Sequence, residues 1–431
     1  MRTSAIILAL VLAVGYPIET EGYAVLSHEA IVDSVWDAHI RPLLLRRFAG
    51  ATPEQIKEAH GYAYGGAIIQ DMGYYPHGSF FFSDLTHYVR SGDFVLALLR
   101  DAKDINGLAF AIGALAHYVA DNDGHPMATN RAVPILYPKL KKKYGDSVTY
   151  EQDKLAHVKT EFGFDVLEVA RGRYAPDSYH DFIGFGVAVP LLEQAFQETY
   201  GLDLKDVLSD EDKVVGSYRH DVSQLIPKAT RIAWSLKKDE IMKDQPGMTK
   251  KKFLYNLNRA SYQKNWGNNF QPPSFGEKFL AFLIRIIPKF GPLKVLQLKT
   301  PTPETERMFE ASFNTTLDRY RQLLSQVGTV QLQLPNENFD TGKITGPGIY
   351  RLNDETHAKL LHAQAKQDFR GASPEVQSEL LEFFGHPDAP YTIKRKPKDW
   401  AKVQTELEQL KNVVPLAVTT ADPCLSCPSP E

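Results

Sequence analysis

In the segment AHYVADNDGHP, His117, Asp121 and His125 fall at positions i, i+4 and i+8. An α-helix turns 100° per residue, so each step of four drifts only about 40° and all three side chains line one face. In AHVKTEF, His157 and Glu161 repeat the i, i+4 step. Imidazole and carboxylate are the ligands of a hydrolytic zinc that keeps one position open for water. Upstream, Asp71 lies in GGAIIQDMGYYP, His87 in FFFSDLTHYV and His28 in YAVLSHEA. Each taken singly has an ordinary reading: a surface ion pair, a turn aspartate ahead of Gly73, a helix-start histidine after Ser27. Their joint occurrence, in order, on one helical chain points to metal chemistry. The run holding His117 and Asp121 is otherwise apolar, and burying both there costs several kcal/mol, on the order of 2–7 per unpaired polar group, unless they are paired or bind metal.

The elements that must position these residues are helices. From Tyr23 to about Lys237, apolar residues recur at three-and-four spacing, as in HEAIVDSVWDAHIRPLLLRRF, FVLALLRDA, EQDKLAHVKTEFGFDVLEVA and VAVPLLEQAFQETY. INGLAFAIGALAHYVADN has little polar surface and reads as a central, buried helix. Period-two strand signals are nearly absent, so the expected fold is all-α. A basic, aromatic stretch follows from about 238 to 299, then the helical run ETERMFEASFNTTLDRYRQLLSQV. LQLPNENFDTGKITGPGIYRL is rich in turn residues and suits a short hairpin. The expected organisation is a signal peptide over 1–22, a zinc-dependent hydrolase domain over 23–237, a helical C-terminal extension over 238–415 and a flexible tail over 416–431.

Compartment and charge narrow the function. Arg2 precedes an apolar run, Ala5 to Gly15, which is too short to span a bilayer and has the form of a signal-peptide core. A cut before Tyr23 would place Thr20 and Gly22 at the cleavage site; a cut before Tyr16 would use Ala13 and Gly15. The chain is therefore expected to be secreted or periplasmic, with no transmembrane span. The two cysteines, Cys424 and Cys427, sit together in the Pro-rich tail, so no disulfide framework is expected. Formal net charge is −3 over 431 residues, which does not suit a stable nucleic-acid partner.

The ordered set YAVLSH, GGAIIQD, LTH, HYVADNDGH and HVKTE resembles the zinc-dependent phospholipase C family. Relatives of that family are the single-strand-specific zinc nucleases and the N-terminal domain of the phospholipase D that cleaves glycosylphosphatidylinositol anchors. The resemblance covers about Tyr23 to Glu161. It implies a multi-helix scaffold binding three zinc ions. One would take Asp71, His87, His117 and Asp121; a second His125, His157 and Glu161. The third would take His28, Asp121 as a bridge, and the backbone amine and carbonyl of Tyr23 at the mature N-terminus. It further implies a metal-bound hydroxide as nucleophile and Asp71 as the group that orients or deprotonates water.

Zinc ions held by only three carboxylates leave a net positive site, suited to a phosphodiester anion and its transition state. The substrate is less narrowly marked. Bacterial phospholipase C reads choline with aromatics at positions that here are Met72 and Asp84, so choline selectivity is not expected. The nucleases stack a base on an aromatic where Tyr88 stands, but Arg90 replaces their aspartate. The segment 278–296 mixes Phe279, Leu280, Phe282, Ile286 and Ile287 with Lys278, Arg285, Lys289 and Lys294, a pattern suited to transient contact with a membrane surface. The expected substrate is a phosphodiester, a lipid ahead of a single-stranded nucleic acid. A non-catalytic metal-binding surface protein is the remaining alternative, which loss of a ligand would have favoured; none is lost.

Overall fold

The computed structural model describes residues 24–170, 185–208, 210–220, 239–240, 242–243 and 298–414. Tyr23, the expected signal peptide, the 237/238 boundary, the segment 278–296 and the cysteine-bearing tail lie outside the described residues. So does the run VSQLIPKATRIAWSLKK.

Among the described residues the fold is all-α apart from one two-stranded hairpin. The centre is α6, Ile105–Gly124, started by the Asp104 side chain accepting from the amide of Gly107 at 2.7 Å. Its residues are apolar nearly all round, so neighbours cover every face. Against it pack α1 (Val25–Val35), α3 (Pro53–Gly66), α5 (Ser91–Asp101) and α13 (Pro303–Gln326). The α3–α6 crossing depends on missing side chains. A Cβ on Gly113 would lie 2.1 Å from the carbonyl oxygen of Ala63, and one on Gly66 would lie 1.9 Å from that of Phe110.

Other elements complete the frame. A π-helical turn (Trp36–Ile40) joins α1 to α2 (Arg41–Arg47), and a 3₁₀ turn (Ile69–Tyr74) links α3 to α4 (Phe80–Tyr88). A second π-helical turn, His125–Thr129, continues α6 into α7 (Asn130–Leu136), followed by α8 (Pro138–Tyr144). Next come α9 (Lys154–Ala170), α10 (Val189–Tyr200), α11 (Leu204–Val207) and α12 (Glu211–His220). Capping boxes begin α3, from Thr52 with Gln55, and α13, from Thr302 with Thr305; each is followed by proline in the first turn.

The expected hairpin is present after α13. Strands β1 (Glu337–Asn338) and β2 (Lys343–Ile344) pair antiparallel, Glu337 opposite Ile344 and Asn338 opposite Lys343. It is followed by α14 (Arg351–Lys366), α15 (Pro374–Phe384) and α16 (Pro397–Lys411). The described part of the C-terminal region packs directly on the helices before it: α13 on α6 and α1, α14 on α4. One hydrophobic core runs from Val25 to Leu410.

Candidate metal centre

Six elements bring the candidate residues together. His28 comes from α1, Asp71 from the 3₁₀ turn, His87 from α4, His117 and Asp121 from α6, and His157 and Glu161 from α9. His125 opens the π-helical turn, and its amide still donates to the Asp121 carbonyl, so the four-residue step is kept through the junction. All eight side chains are buried to within 1% of full occlusion. They form three clusters with ligand-type atoms close enough to share an ion: His28, His117 and Asp121; Asp71, His87 and His117; His125, His157 and Glu161.

The resemblance implied three groupings, and their described members lie as follows. In the first, Asp71 Oδ1 lies 3.3 Å from His87 Nε2 and 3.9 Å from His117 Nε2, while Asp121 Oδ2 lies 3.6 and 3.2 Å from the same two atoms. In the second, Glu161 Oε1 lies 2.7 Å from His157 Nε2 and 3.4 Å from His125 Nε2. In the third, Asp121 Oδ1 lies 3.4 Å from His28 Nε2, so its two oxygens face different clusters, as a bridging ligand requires. Tyr23, the remaining member of that set, is outside the described residues.

The outer nitrogens of three rings are fixed. Nδ1 of His87 meets the Ser83 carbonyl at 2.8 Å, that of His117 the Ala67 carbonyl at 2.9 Å, and that of His125 the Phe339 carbonyl at 2.8 Å. A carbonyl only accepts, so each Nδ1 carries the hydrogen and each Nε2 turns a lone pair inward. Facing them, both oxygens of Asp71 and Asp121, Nε2 of His117 and His125, and both ring nitrogens of His157 are buried with no hydrogen-bond partner. The 2.7 Å approach of His157 to Glu161 does not have hydrogen-bond geometry. Orphaned donor atoms at this density are costly in a bare protein and are satisfied by divalent cations. The nitrogen and oxygen donors fit zinc.

The electrostatics differ from residue to residue. Burial, reinforced by His117, holds His28 well below the usual imidazole range, and burial with His125 does the same to His157. Both are therefore neutral, the form that binds metal. Burial favours the acid form of Asp121, but His117 and His125 outweigh it and hold it well below the carboxylate range. Burial wins at Asp71, raising it against the pull of His117. At His117 burial is outweighed by Asp121 and Asp71, which raise it.

The three residues compared above for choline or base reading, Tyr88, Met72 and Asp84, are all buried. Tyr88 is buried, with its hydroxyl donating to Asp340 Oδ2 at 3.0 Å. Met72 is buried, and Asp84 takes an ion pair from Lys359 at 2.9 Å.

The structure adds groups that sequence reasoning did not find. Phe339 and Asp340, in the turn of the hairpin, reach the site from far along the chain. The fully buried Asp165 stands one further step of four beyond Glu161 on α9, yet it turns away from the clusters. It accepts from the Leu26 amide at 2.9 Å and contacts the Ser27 hydroxyl at 2.6 Å, fixing α1 beside His28. The pattern His157, Glu161, Asp165 was its only signal.

Residues 27–209 match the family model described as zinc dependent phospholipase C. No curated protein and no solved structure gives a significant match.

Proposed function

On the premise that residues 27–209 are a domain of the zinc-dependent phospholipase C family, we propose that the chain is a secreted phosphodiester hydrolase acting on phospholipid with three zinc ions. Asp71, His87, His117 and Asp121 would hold one, His125, His157 and Glu161 a second, and His28, Asp121 and the backbone of Tyr23 the third. The observation that carries the reading is the convergence of buried imidazole nitrogens and carboxylate oxygens without hydrogen-bond partners. When bound, zinc supplies Lewis acidity toward a phosphoryl oxygen and lowers the pKa of water to about 7.

The chain's own residues set the rest. The carbonyls of Ser83, Ala67 and Phe339 keep the lone pairs of His87, His117 and His125 directed inward. Asp71, whose carboxyl burial raises, would orient water and take its proton. Exclusion of bulk water strengthens each of these interactions.

Lipid is favoured over nucleic acid by two observations. Tyr88, the residue placed to stack a base, is committed to Asp340. Phe80 and Leu155 are exposed large apolar residues; Phe80 packs against Tyr74, which contacts the His87 ring, and Leu155 is two residues from His157. No helix among the described residues is long and apolar enough to cross a membrane. The test is hydrolysis of phospholipid vesicles, with release of diacylglycerol, compared with single-stranded DNA. Activity on lipid should vanish on chelation and return with zinc. A zinc-loaded protein that cleaves only the DNA overturns the lipid assignment, and one that cleaves no phosphodiester overturns the enzyme assignment.

A further inference from the structure

We propose that Asp340, with the carbonyl of Phe339, is a positioning group for His125, so that the hairpin at 337–344 is a built-in part of the metal centre. This rests on the reading of His125 as a metal ligand. Both residues lie far beyond the matched segment 27–209.

The His125 ring is held on its Nδ1 edge by the hairpin. Its Nδ1 donates to the Phe339 carbonyl at 2.8 Å, and Asp340 Oδ1 stands 3.5 Å from the same nitrogen. That oxygen is buried and has no hydrogen-bond partner. A carboxylate behind an imidazole N–H raises the electron density at the opposite nitrogen, which here faces Glu161. Asp340 is itself fixed. The hydroxyls of Tyr88 and Tyr350 both donate to its Oδ2, and Asn130 Nδ2 donates to its backbone carbonyl at 2.6 Å. With Oδ2 occupied by two phenols, Oδ1 is the oxygen left toward His125.

The hairpin cannot drift away from this position. Asn336 Oδ1 accepts from the amides of Gly92 and Asp93 at 3.0 and 3.1 Å, capping α5 from a distant part of the chain. Ser91 Oγ donates to the Glu337 carbonyl, and the Tyr118 hydroxyl contacts both the Pro335 carbonyl and Glu337 Oε2 at 2.8 Å. Arg319 on α13 bridges Glu337 to Asp123 on α6. Gly342 has φ +62°, and a Cβ there would lie 2.4 Å from the Asn122 carbonyl oxygen, one turn before His125. The Phe339 ring meets that of His87 at 5.0 Å, so the same turn touches a second cluster.

The test is zinc affinity, measured on the full chain by competition with a chromogenic chelator. The variants are Asp340→Asn, Tyr350→Phe, His125→Ala and the double variant His125→Ala with Asp340→Asn. Asp340→Asn should weaken one zinc about 10–100-fold and leave the others unchanged. Tyr350→Phe, which removes one of the two phenol donors and keeps the carboxylate, should shift the same zinc in the same direction by less. In the His125→Ala background Asp340→Asn should change nothing further. Metal-free melting temperatures separate this from a loss of folding, and if Asp340→Asn does not fold, Tyr350→Phe decides. Wild-type affinity at every site in both variants overturns the proposal, as does full additivity in the double variant. If His125→Ala itself loses no zinc affinity, the ligand assignment of His125 falls and this proposal with it.

Discussion

The ring of His28 lies flat on that of His117, centroids 4.4 Å apart and planes 11° from parallel. Two buried imidazoles in such contact cannot both be protonated, because each charge would face the other with no water between. Burial and His117 hold His28 well below the usual imidazole range. Its contact with one oxygen of Asp121, whose other oxygen faces His87 and His117, makes Asp121 the residue shared between clusters.

Metal content should follow that sharing. Elemental analysis after dialysis in zinc buffer should give close to three zinc per chain. Asp121→Ala should remove more than one, and His157→Ala mainly one. A wild-type content of one or none ends the trinuclear reading.

Asp71→Asn should keep most of the fold and cost roughly 10²–10⁴-fold in phosphodiesterase activity, the usual contribution of a general base. Zinc content measured on the same sample separates a lost base from a lost ligand. Turnover at the wild-type rate would remove Asp71 from its assigned role.

Asp165 predicts a pH signature of stability. Burial raises its carboxyl to about 7, against the pull of Ser27 and the Leu26 amide. The folded state thus binds this proton more tightly than the unfolded chain, whose aspartates titrate near about 3.9. This contribution is full below about pH 4, declines as pH rises and is gone above about pH 7, a span of about 4 kcal/mol at 1.36 per unit. Asparagine reproduces the protonated form: its amide can donate to Ser27 Oγ while its carbonyl accepts from Leu26. Denaturation of metal-free protein should show a smaller fall in stability between pH 4 and 7 for Asp165→Asn than for wild type. Parallel curves would mean that Asp165 is ionised throughout.

Gly113→Ala tests the helix crossing. Alanine in place of a helix-interior glycine ordinarily stabilises by about 1 kcal/mol. Here the added methyl would lie 2.1 Å from the Ala63 carbonyl oxygen, backbone that cannot step aside. The sign should reverse, to a loss of about 1–3 kcal/mol or more, read as a fall in Tm. An unchanged or raised Tm would show that α3 and α6 are further apart than described.

The parts of this molecule legible in its sequence are those in which cause and effect are local. The i, i+4, i+8 spacing of His117, Asp121 and His125 is a property of one helix, and the structure keeps it even across the π-helical turn. The all-α class follows from periodicities within single helices, and the hairpin from the turn residues of NENFDTGK. Asp340 and Phe339 were not legible, because nothing in the turn chemistry around them says which distant ring they meet. Asp165 was not legible either: its spacing from Glu161 resembles a ligand's, but its neighbours on α1 turn it into a clasp for the start of the chain's described part. Tyr88 kept its aromatic type but spends its hydroxyl on Asp340.

The bond from His125 to the Phe339 carbonyl spans 214 positions of sequence. That separation has a consequence in time. A ribosome adding about 5–20 residues per second needs roughly 10 to 40 seconds to pass from one partner to the other. Once residue 209 has been made the matched segment is complete, but until residue 339 follows one imidazole lacks the acceptor that sets its tautomer. If His125 binds metal as proposed, docking of the hairpin is a long-range closure, of the kind that slows folding through loop entropy, and ion capture at His125 should follow it.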